Sequence, residues 1–182
     1  MIKKVLDSIM LAKFNRKAAA KRNMPDRVIK ILKIRPGQNI ADIGAGGGYY
    51  CFRFAAITGD NGRVCAVDIN PGYLSYISKM ALKKSLENIS VQDVLHAPQN
   101  SIDLVFFRNS LHHIDNRLEY FKKIRTMLKD NGCVTVIDYK EGKHRHWLSK
   151  ENLIKDMTIA GYILKDDYDF LPEQIFAVFS HE

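Results

Sequence analysis

The sequence feature that most constrains the fold is a cluster of four glycines in five positions, residues 44–48, directly after the apolar segment 39–43. Glycines this dense forgo side-chain packing and cost backbone entropy, so we expect something to approach the main chain closely there. The segment that follows, up to about Ile57, has the apolar and aromatic pattern of a helix. A strand, a glycine turn and a helix in this order indicate an α/β fold that binds a ligand beyond the carboxyl ends of its strands.

The rest of the chain alternates between strand and helix patterns. Strands separated by helices predict a doubly wound α/β fold with a mostly parallel, seven-stranded sheet and helices on both faces. The last two strands are joined only by the turn around Pro172, which is too short for a crossover helix, so they predict an antiparallel hairpin. The predicted strands are residues 39–43, 63–69, 88–94, 101–107, 133–139, 162–168 and 174–180.

The predicted helices are bounded by capping residues and glycines. One begins at Pro25, one extends from Asn70 to about Glu87, and one begins at Ser149 and stops at Gly161. The helix after Asp115 is expected to end near Lys129, with Gly132 as the left-handed residue after it.

Composition indicates a soluble globular protein. The chain of 182 residues is 46% hydrophobic and 26% charged. No apolar run approaches the roughly 18 residues of a membrane span, which predicts that the chain has no integral membrane segment. Its three cysteines form no CxxC pair, which favours buried, reduced thiols and a cytoplasmic location.

The net charge of +8 is concentrated in the first 35 residues, which contain eleven Lys or Arg and only two Asp. The remainder is close to neutral. Such a basic segment can lie on a solvated helix surface, or meet nucleic acid, an anionic membrane surface or an acidic substrate. Nucleic acid is not favoured, because no aromatic residues alternate with the charges to stack on bases.

The glycine loop matches the known phosphate-binding patterns poorly. A dinucleotide site needs a third small residue where this chain has Tyr49, and no Gly-Lys-Ser/Thr follows for a P-loop. The Asp42 carboxylate, two residues before Gly44, would repel a pyrophosphate and suit an ammonium or sulfonium cation. Asp68 lies 20 residues past Gly48, where an acidic residue accepts both hydroxyls of a ribose. The pattern predicts a nucleoside attached to a positively charged amino acid.

At this point the sequence resembles the class I S-adenosylmethionine-dependent methyltransferases, in particular the small proteins of the quinone-biosynthesis type. The resemblance rests on NIADIGAGGGYY, CAVDIN, VQDVLHAP, IDLVFFRNSLHHI and LKDNGCVTVIDY, which occur in that order. It covers roughly residues 25 to 180 and implies a single methyltransferase domain, residues 23–182, after a basic helical arm, residues 1–22.

The resemblance implies S-adenosylmethionine as cofactor and assigns residues to it. Asp42 and the backbone of the glycine loop would face the methionine moiety, and Asp68 would hold the ribose. Two apolar residues would sandwich the adenine, an Asp would receive its amino group, and backbone after the fourth strand would lie near the sulfonium. The expected cofactor-binding residues are Asp42, Gly44, Ala45, Gly46, Tyr50, Asp68, Ile69, Asp93, Val94, Arg108 and Asn109.

The acceptor side is expected around His112, His113 and Tyr139. An imidazole can act as general base for a phenol, enol or carboxylate acceptor. The alternative is structural: one His packs on a helix and the other forms a hydrogen bond with backbone. His144 and His146 make a weak metal site without an evident third ligand, so we predict no metal. The loop also lacks the Asn/Asp-Pro-Pro-Tyr/Phe signature of methyltransferases that act on nucleobase amines, which favours a small or lipid-like acceptor.

Several alternatives stay open. An RNA or protein methyltransferase would dock through the basic arm, and a cofactor-binding module would not catalyse at all. A nicotinamide-dependent dehydrogenase is disfavoured by Tyr49 and the terminal hairpin. The acceptor pocket is expected to be thinly covered by this chain alone, so a second subunit of a homo-oligomer could close it. This thin cover also suggests that residues 1–22 form a lid, with Ile2, Val5, Leu6 and Ile9 as its apolar face.

Overall fold

A computed structural model describes residues 2–181, with side chains from residue 9 onwards. The chain divides into two compact units, residues 1–96 and 97–182. The predicted boundary between an arm and a single domain at residue 22 stays a prediction. No helix among the described residues is both long and apolar enough to cross a membrane.

The first unit contains a three-stranded parallel sheet in the order β3-β2-β1. Its strands are β1 (Asn39–Ile43), β2 (Arg63–Val67) and β3 (Ile89–Gln92). Its helices are α1 (Ile2–Ala19), α2 (Pro25–Leu32), α3 (Tyr49–Thr58) and α4 (Pro71–Lys83), with a short 3₁₀ turn at Lys21–Asn23. Helix α2 begins with Pro25 at its first position, as predicted.

Helix α1 is longer than the short amphipathic helix that the sequence predicted, since it extends to Ala19. Three of the four residues of the predicted apolar face, Ile2, Val5 and Leu6, lie outside the residues whose side chains are described. The fourth, Ile9, is 59% exposed, whereas Leu11 is buried. The buried surface of the described part of α1 therefore lies around Leu11 and not around Ile9.

The second unit contains four strands in the order β4-β5-β7-β6. Strands β4 (Ile102–Arg108) and β5 (Leu128–Tyr139) are parallel, whereas β7 (Gln174–Ser180) runs antiparallel to both β5 and β6 (Ile163–Tyr168). Helices α5 (Arg117–Met127) and α6 (Lys150–Ile159) complete the unit. The antiparallel C-terminal hairpin and the total of seven described strands agree with the predicted fold class.

The predicted end of α5 is wrong. The helix stops at Met127, β5 begins at Leu128, and Gly132 lies inside that strand without a left-handed conformation. A register shift against β4 takes up residues 129–132. A Cβ on Gly132 would lie 2.9 Å from the carbonyl oxygens of both Ile102 and Lys129. Glycine is needed there because backbone approaches closely, and not because a helix ends.

Asn88 fixes the end of the helix that follows the glycine loop. Its buried Nδ2 donates to the carbonyl oxygens of Ala55 (3.0 Å) and Gly59 (2.9 Å) and to Thr58 Oγ1 (3.2 Å). The last carbonyls of a helix have no partner within the helix. The amide thus satisfies the C-terminus of α3 and ties it to the start of β3.

We expect Asn88→Ala to destabilise the protein by about 1–3 kcal/mol, because it removes three hydrogen bonds of a buried amide that joins α3 to the start of β3. Urea unfolding followed by circular dichroism measures this free energy of unfolding. Asn131→Ala is the matched control, since Asn131 is exposed, and should change stability by less than about 0.5 kcal/mol. Equal stabilities of the two variants would contradict the proposed role of the amide.

Candidate cofactor and acceptor sites

The glycine loop between β1 and α3 turns through three left-handed residues. Gly44, Gly46 and Gly48 have φ angles of 75°, 53° and 75°, a region that L residues with a Cβ rarely adopt. The N–H groups of Gly44 and Ala45 both donate to the carbonyl oxygen of Val67, at 2.8 and 3.0 Å. The loop is therefore anchored to the end of β2, and its glycines place no side chain of their own over the main chain.

Asp68 holds the same loop from the end of the next strand. Its Oδ2 accepts a hydrogen bond of 2.9 Å from the Gly46 N–H, and its Oδ1 accepts one of 2.9 Å from the Asn70 N–H. The structure thus brings the two sequence-predicted residues Asp68 and Gly46 into contact, although they are 22 positions apart. A half-buried carboxylate then lies directly beside the main chain of the loop.

Asp42 is a buried carboxyl group at the base of the loop. It is 3% exposed, and its Oδ2 accepts a hydrogen bond of 2.9 Å from the Cys51 thiol on α3. Burial raises the pKa of Asp42 to about 7; the thiol opposes this shift and the Asp68 carboxylate adds to it. Nothing in the sequence pattern indicated Cys51, because the contact depends on how α3 packs on β1.

The residues expected around the adenine are exposed at the ends of β2 and β3. Ile69 is 88% exposed and Val94 is 42% exposed. Asp93 is also exposed, and its Oδ1 accepts from the Val94 N–H at 2.9 Å. Exposed apolar side chains next to a carboxylate fit a flat heteroaromatic ring that carries an amino group.

The two tyrosines that open α3 differ in burial. Tyr50 is 4% exposed and lies 5.8 Å from Phe54 between ring centroids. Tyr49 is half-buried, and its hydroxyl accepts from Arg53 at 3.2 Å. The expected cofactor contact of Tyr50 stays a prediction.

Helix α1 lies directly on the glycine loop. The sequence pattern did not indicate which residues of α1 make this contact. A Cβ on Gly46 would be 3.4 Å from the Phe14 ring, and one on Gly47 would overlap the carboxamide of Asn15. The Phe14 ring also meets Tyr73 of α4 edge-on, at 5.8 Å between centroids. Two residues of α1 therefore cover the loop.

The loop after β4 is held by backbone and by β7. Asn109 adopts a left-handed conformation with φ 53°, and its N–H donates to the Ile137 carbonyl oxygen at 2.8 Å. Gln174 accepts from Arg108 at 3.3 Å and donates to the Asn109 side chain at 2.5 Å. The two residues expected near the sulfonium thus form a fixed turn; their contact with a cofactor stays a prediction.

His112 is paired with a carboxylate that the sequence analysis missed. Its Nδ1 lies 2.6 Å from Asp138 Oδ1, and its own backbone N–H donates to Asp138 Oδ2 at 3.2 Å. Both side chains are buried, at 3% and 0% exposed. The Tyr139 N–H also donates to Asp138, at 2.8 Å. Because a carboxylate only accepts, Nδ1 of His112 is the donor in this contact, and Nε2 is the ring nitrogen that faces away from Asp138.

The other histidines surround this pair. Nε2 of His113 lies 3.0 Å from Nε2 of His112, and the His146 ring stacks parallel to that of His112 at 5.7 Å. Tyr139 stacks on His144 at 4.2 Å. Partial burial and the neighbouring imidazoles lower the pKa of His113. In the described part of the chain, no group of three or more His, Cys, Asp or Glu is arranged to hold a metal ion.

Comparison with known proteins shows the family of the chain. A family model described as a methyltransferase domain matches residues 34–173. The ubiquinone/menaquinone biosynthesis C-methyltransferase UbiE of Ectopseudomonas mendocina is 28% identical over 158 residues, which cover 81% of this chain and 61% of that protein. Phosphoethanolamine N-methyltransferase 1 of Arabidopsis thaliana is 27% identical over 152 residues, 76% of this chain and 30% of that protein.

A solved structure shows the same fold. The SAM-dependent methyltransferase of Aquifex aeolicus superposes with a TM-score of 0.76 and 20% identity, over 85% of this chain and 88% of that one. This similarity confirms the predicted α/β fold. The chain spans only 47% to 61% of the length of these ubiquinone/menaquinone relatives.

The raised pKa of Asp42 predicts how stability depends on pH. The folded protein holds this proton up to about pH 7, whereas the unfolded chain releases it near the ordinary value of 3.8. Between these values the folded state binds more protons, so the free energy of unfolding falls as the pH rises from about 4 to about 7. We expect Asp42→Asn to remove this fall while keeping an acceptor for Cys51.

Urea unfolding of the wild type and of Asp42→Asn at about pH 5 and pH 8 tests this. The variant should gain stability relative to the wild type on going to the higher pH, because only the wild type then carries a buried charge. Parallel pH profiles of the two proteins would show that Asp42 keeps an ordinary pKa.

Proposed function

We propose that this chain, which belongs to the methyltransferase domain family, is an S-adenosylmethionine-dependent methyltransferase whose acceptor is a small molecule that loses a proton to His112. The observation that carries the proposal is the buried pair of His112 and Asp138. A buried carboxylate that holds an imidazole in one orientation is the arrangement expected of a general base.

We assign the cofactor to the glycine loop and the strand ends of the first unit. The loop fits such a ligand because three of its glycines are left-handed and, without a Cβ, allow a ligand to approach the main chain closely. Asp42 would face the positively charged methionine end and Asp68 would hold the ribose. The proposed cofactor-binding residues of this unit are Asp42, Gly44, Ala45, Gly46, Tyr50, Asp68, Ile69, Asp93 and Val94, and the cofactor contacts of Arg108 and Asn109 stay a prediction.

When bound, the cofactor supplies a methyl group on a positively charged sulfur. Transfer of this methyl group to the acceptor atom would break its bond to sulfur and leave the sulfur as a neutral thioether. The proton of the acceptor goes to Nε2 of His112, and Asp138 stabilises the imidazolium that forms. The protein's main contributions are alignment of the two partners and this proton transfer.

The acceptor class follows from the base. An imidazole can accept the proton of a phenol, an enol or an activated carbon acid while the methyl group is transferred. The named activities of the relatives, C-methylation in quinone biosynthesis and N-methylation of phosphoethanolamine, both act on small molecules. A small or lipid-like acceptor is therefore favoured over RNA or protein.

We also propose that the basic arm, residues 1–22, is a lid over the cofactor. Its support is the contact of Phe14 with the position of Gly46 and of Asn15 with that of Gly47. Closure of such an element excludes water from the reacting groups. The exposed Lys and Arg side chains of the arm would remain in solvent or meet an anionic acceptor.

We expect His112→Gln and Asp138→Asn each to lower turnover by about 10²–10⁴-fold, the usual contribution of general-base catalysis. In Asp138→Asn the amide can donate to Nδ1 of His112, which moves the imidazole proton to Nε2 and removes the base. Release of S-adenosylhomocysteine over a panel of phenols, quinols and amines measures the effect. Lys123→Gln, at an exposed position of α5, is the matched control and should retain most activity.

Cofactor affinity separates catalysis from folding in this experiment. Both variants should bind S-adenosylhomocysteine like the wild type in calorimetry, because neither residue is assigned to the cofactor. Wild-type turnover by His112→Gln, on an acceptor that the wild type methylates, would refute the proposed base.

Removal of residues 1–22 tests the lid. Of the described arm residues 9–22, only Leu11 is buried, so the remaining chain should fold, which circular dichroism can verify. We expect weaker cofactor binding and a loss of most methyl transfer, because water reaches the reacting groups. Full turnover of the shortened chain would contradict the lid. Tight RNA binding by the full chain, with a steep salt dependence, would instead indicate a docking arm.

A further inference from the structure

The carboxamide of Asn15 lies flat against the glycine loop. A Cβ on Gly47 would overlap Asn15 Oδ1 and would lie 2.6 Å from Cγ and 2.8 Å from Nδ2. Gly47 itself is buried and does not have a left-handed φ. Glycine is therefore needed at this position to admit the side chain of Asn15, and not for the shape of the loop.

The oxygen of this carboxamide is buried without a partner. Asn15 Oδ1 has no hydrogen-bond donor among the residues that the structure describes. Leaving a buried acceptor unpaired is unfavourable, and an apolar side chain of similar shape would avoid this penalty. A polar group in such a place is explained if a ligand supplies the missing donor.

The surroundings of Asn15 indicate the chemistry of that donor. The neighbouring Gly46 N–H is already used by Asp68, and Asp42 lies at the base of the same loop. Two carboxyl groups and an unpaired amide oxygen favour a cationic donor, for which an ammonium group with its three N–H bonds is suited.

We infer that Asn15 is a cofactor-binding residue, whose Oδ1 accepts a hydrogen bond from the ammonium group at the amino-acid end of S-adenosylmethionine. The inference rests on the proposed assignment of the glycine loop to the cofactor. It gives the arm a specific role: α1 contributes a ligand to the cofactor as well as a cover, so that cofactor binding and lid closure are coupled.

The test compares two ligands that differ at the amino-acid end. S-adenosylhomocysteine carries the ammonium group, whereas methylthioadenosine has the same nucleoside and sulfur without it. We expect Asn15→Leu to weaken S-adenosylhomocysteine binding by about 10-fold or more, a hydrogen bond to a charged group being worth that much, and to leave methylthioadenosine binding unchanged. Without ligand, the melting temperature of Asn15→Leu should be equal to or above that of the wild type.

Two further variants sharpen the result. Asn15→Asp keeps an acceptor and adds a negative charge, so it should retain affinity for S-adenosylhomocysteine; a loss there would point to a contact with the cofactor carboxylate and overturn the inference. Lys13→Gln, an exposed neighbour on α1, is the matched control and should bind both ligands like the wild type.

The outcomes separate the inference from the proposal on which it rests. Unchanged S-adenosylhomocysteine affinity in Asn15→Leu, or an equal loss for both ligands, would overturn the role of Asn15 alone. Asp68→Ala tests the loop assignment independently, because it should weaken both ligands. If Asp68→Ala also left both affinities unchanged, the assignment of the loop to the cofactor would be wrong.

Discussion

The hydrogen bond from the Gly46 N–H to the Asp68 carboxylate is the contact on which the position of the glycine loop depends. It joins the turn after β1 to the end of β2, and the left-handed glycines allow the main chain to make that turn without a clash. Because both oxygens of Asp68 already accept from backbone, the carboxylate is oriented before any ligand arrives. Pre-orientation of this kind lowers the cost of binding.

Buried carboxyl groups play two different parts in this protein. Burial raises the pKa of Asp42 to about 7, so its charge can respond to a cation that binds beside it. Asp138, in contrast, is surrounded by donors: the imidazole and backbone N–H of His112 and the backbone N–H of Tyr139. The first group is suited to recognise charge, and the second is suited to hold an imidazole ready for proton transfer.

The arm accounts for one of the glycines in the loop. Among its four glycines, Gly44, Gly46 and Gly48 serve the backbone conformation, whereas Gly47 makes room for Asn15. The glycine cluster, which the sequence pattern assigned to a ligand, therefore also allows helix α1 of the same chain to pack on the loop. If Asn15 binds the cofactor, the helix and the ligand stabilise each other, as expected for a lid that closes on binding.

The sequence by itself determined the order of strands and helices, the glycine loop and the carboxylates at strand ends, because these depend on local periodicity and on spacing along one strand–turn–helix unit. The end of α5 could not be predicted from local patterns, because Gly132 is needed where the backbone of Ile102, on another strand, approaches closely. Likewise, only tertiary structure decided that Asp138 meets His112, 26 positions away, and that Asn15 lies on Gly47. Such contacts depend on how separate elements pack, and no local pattern along the chain records them.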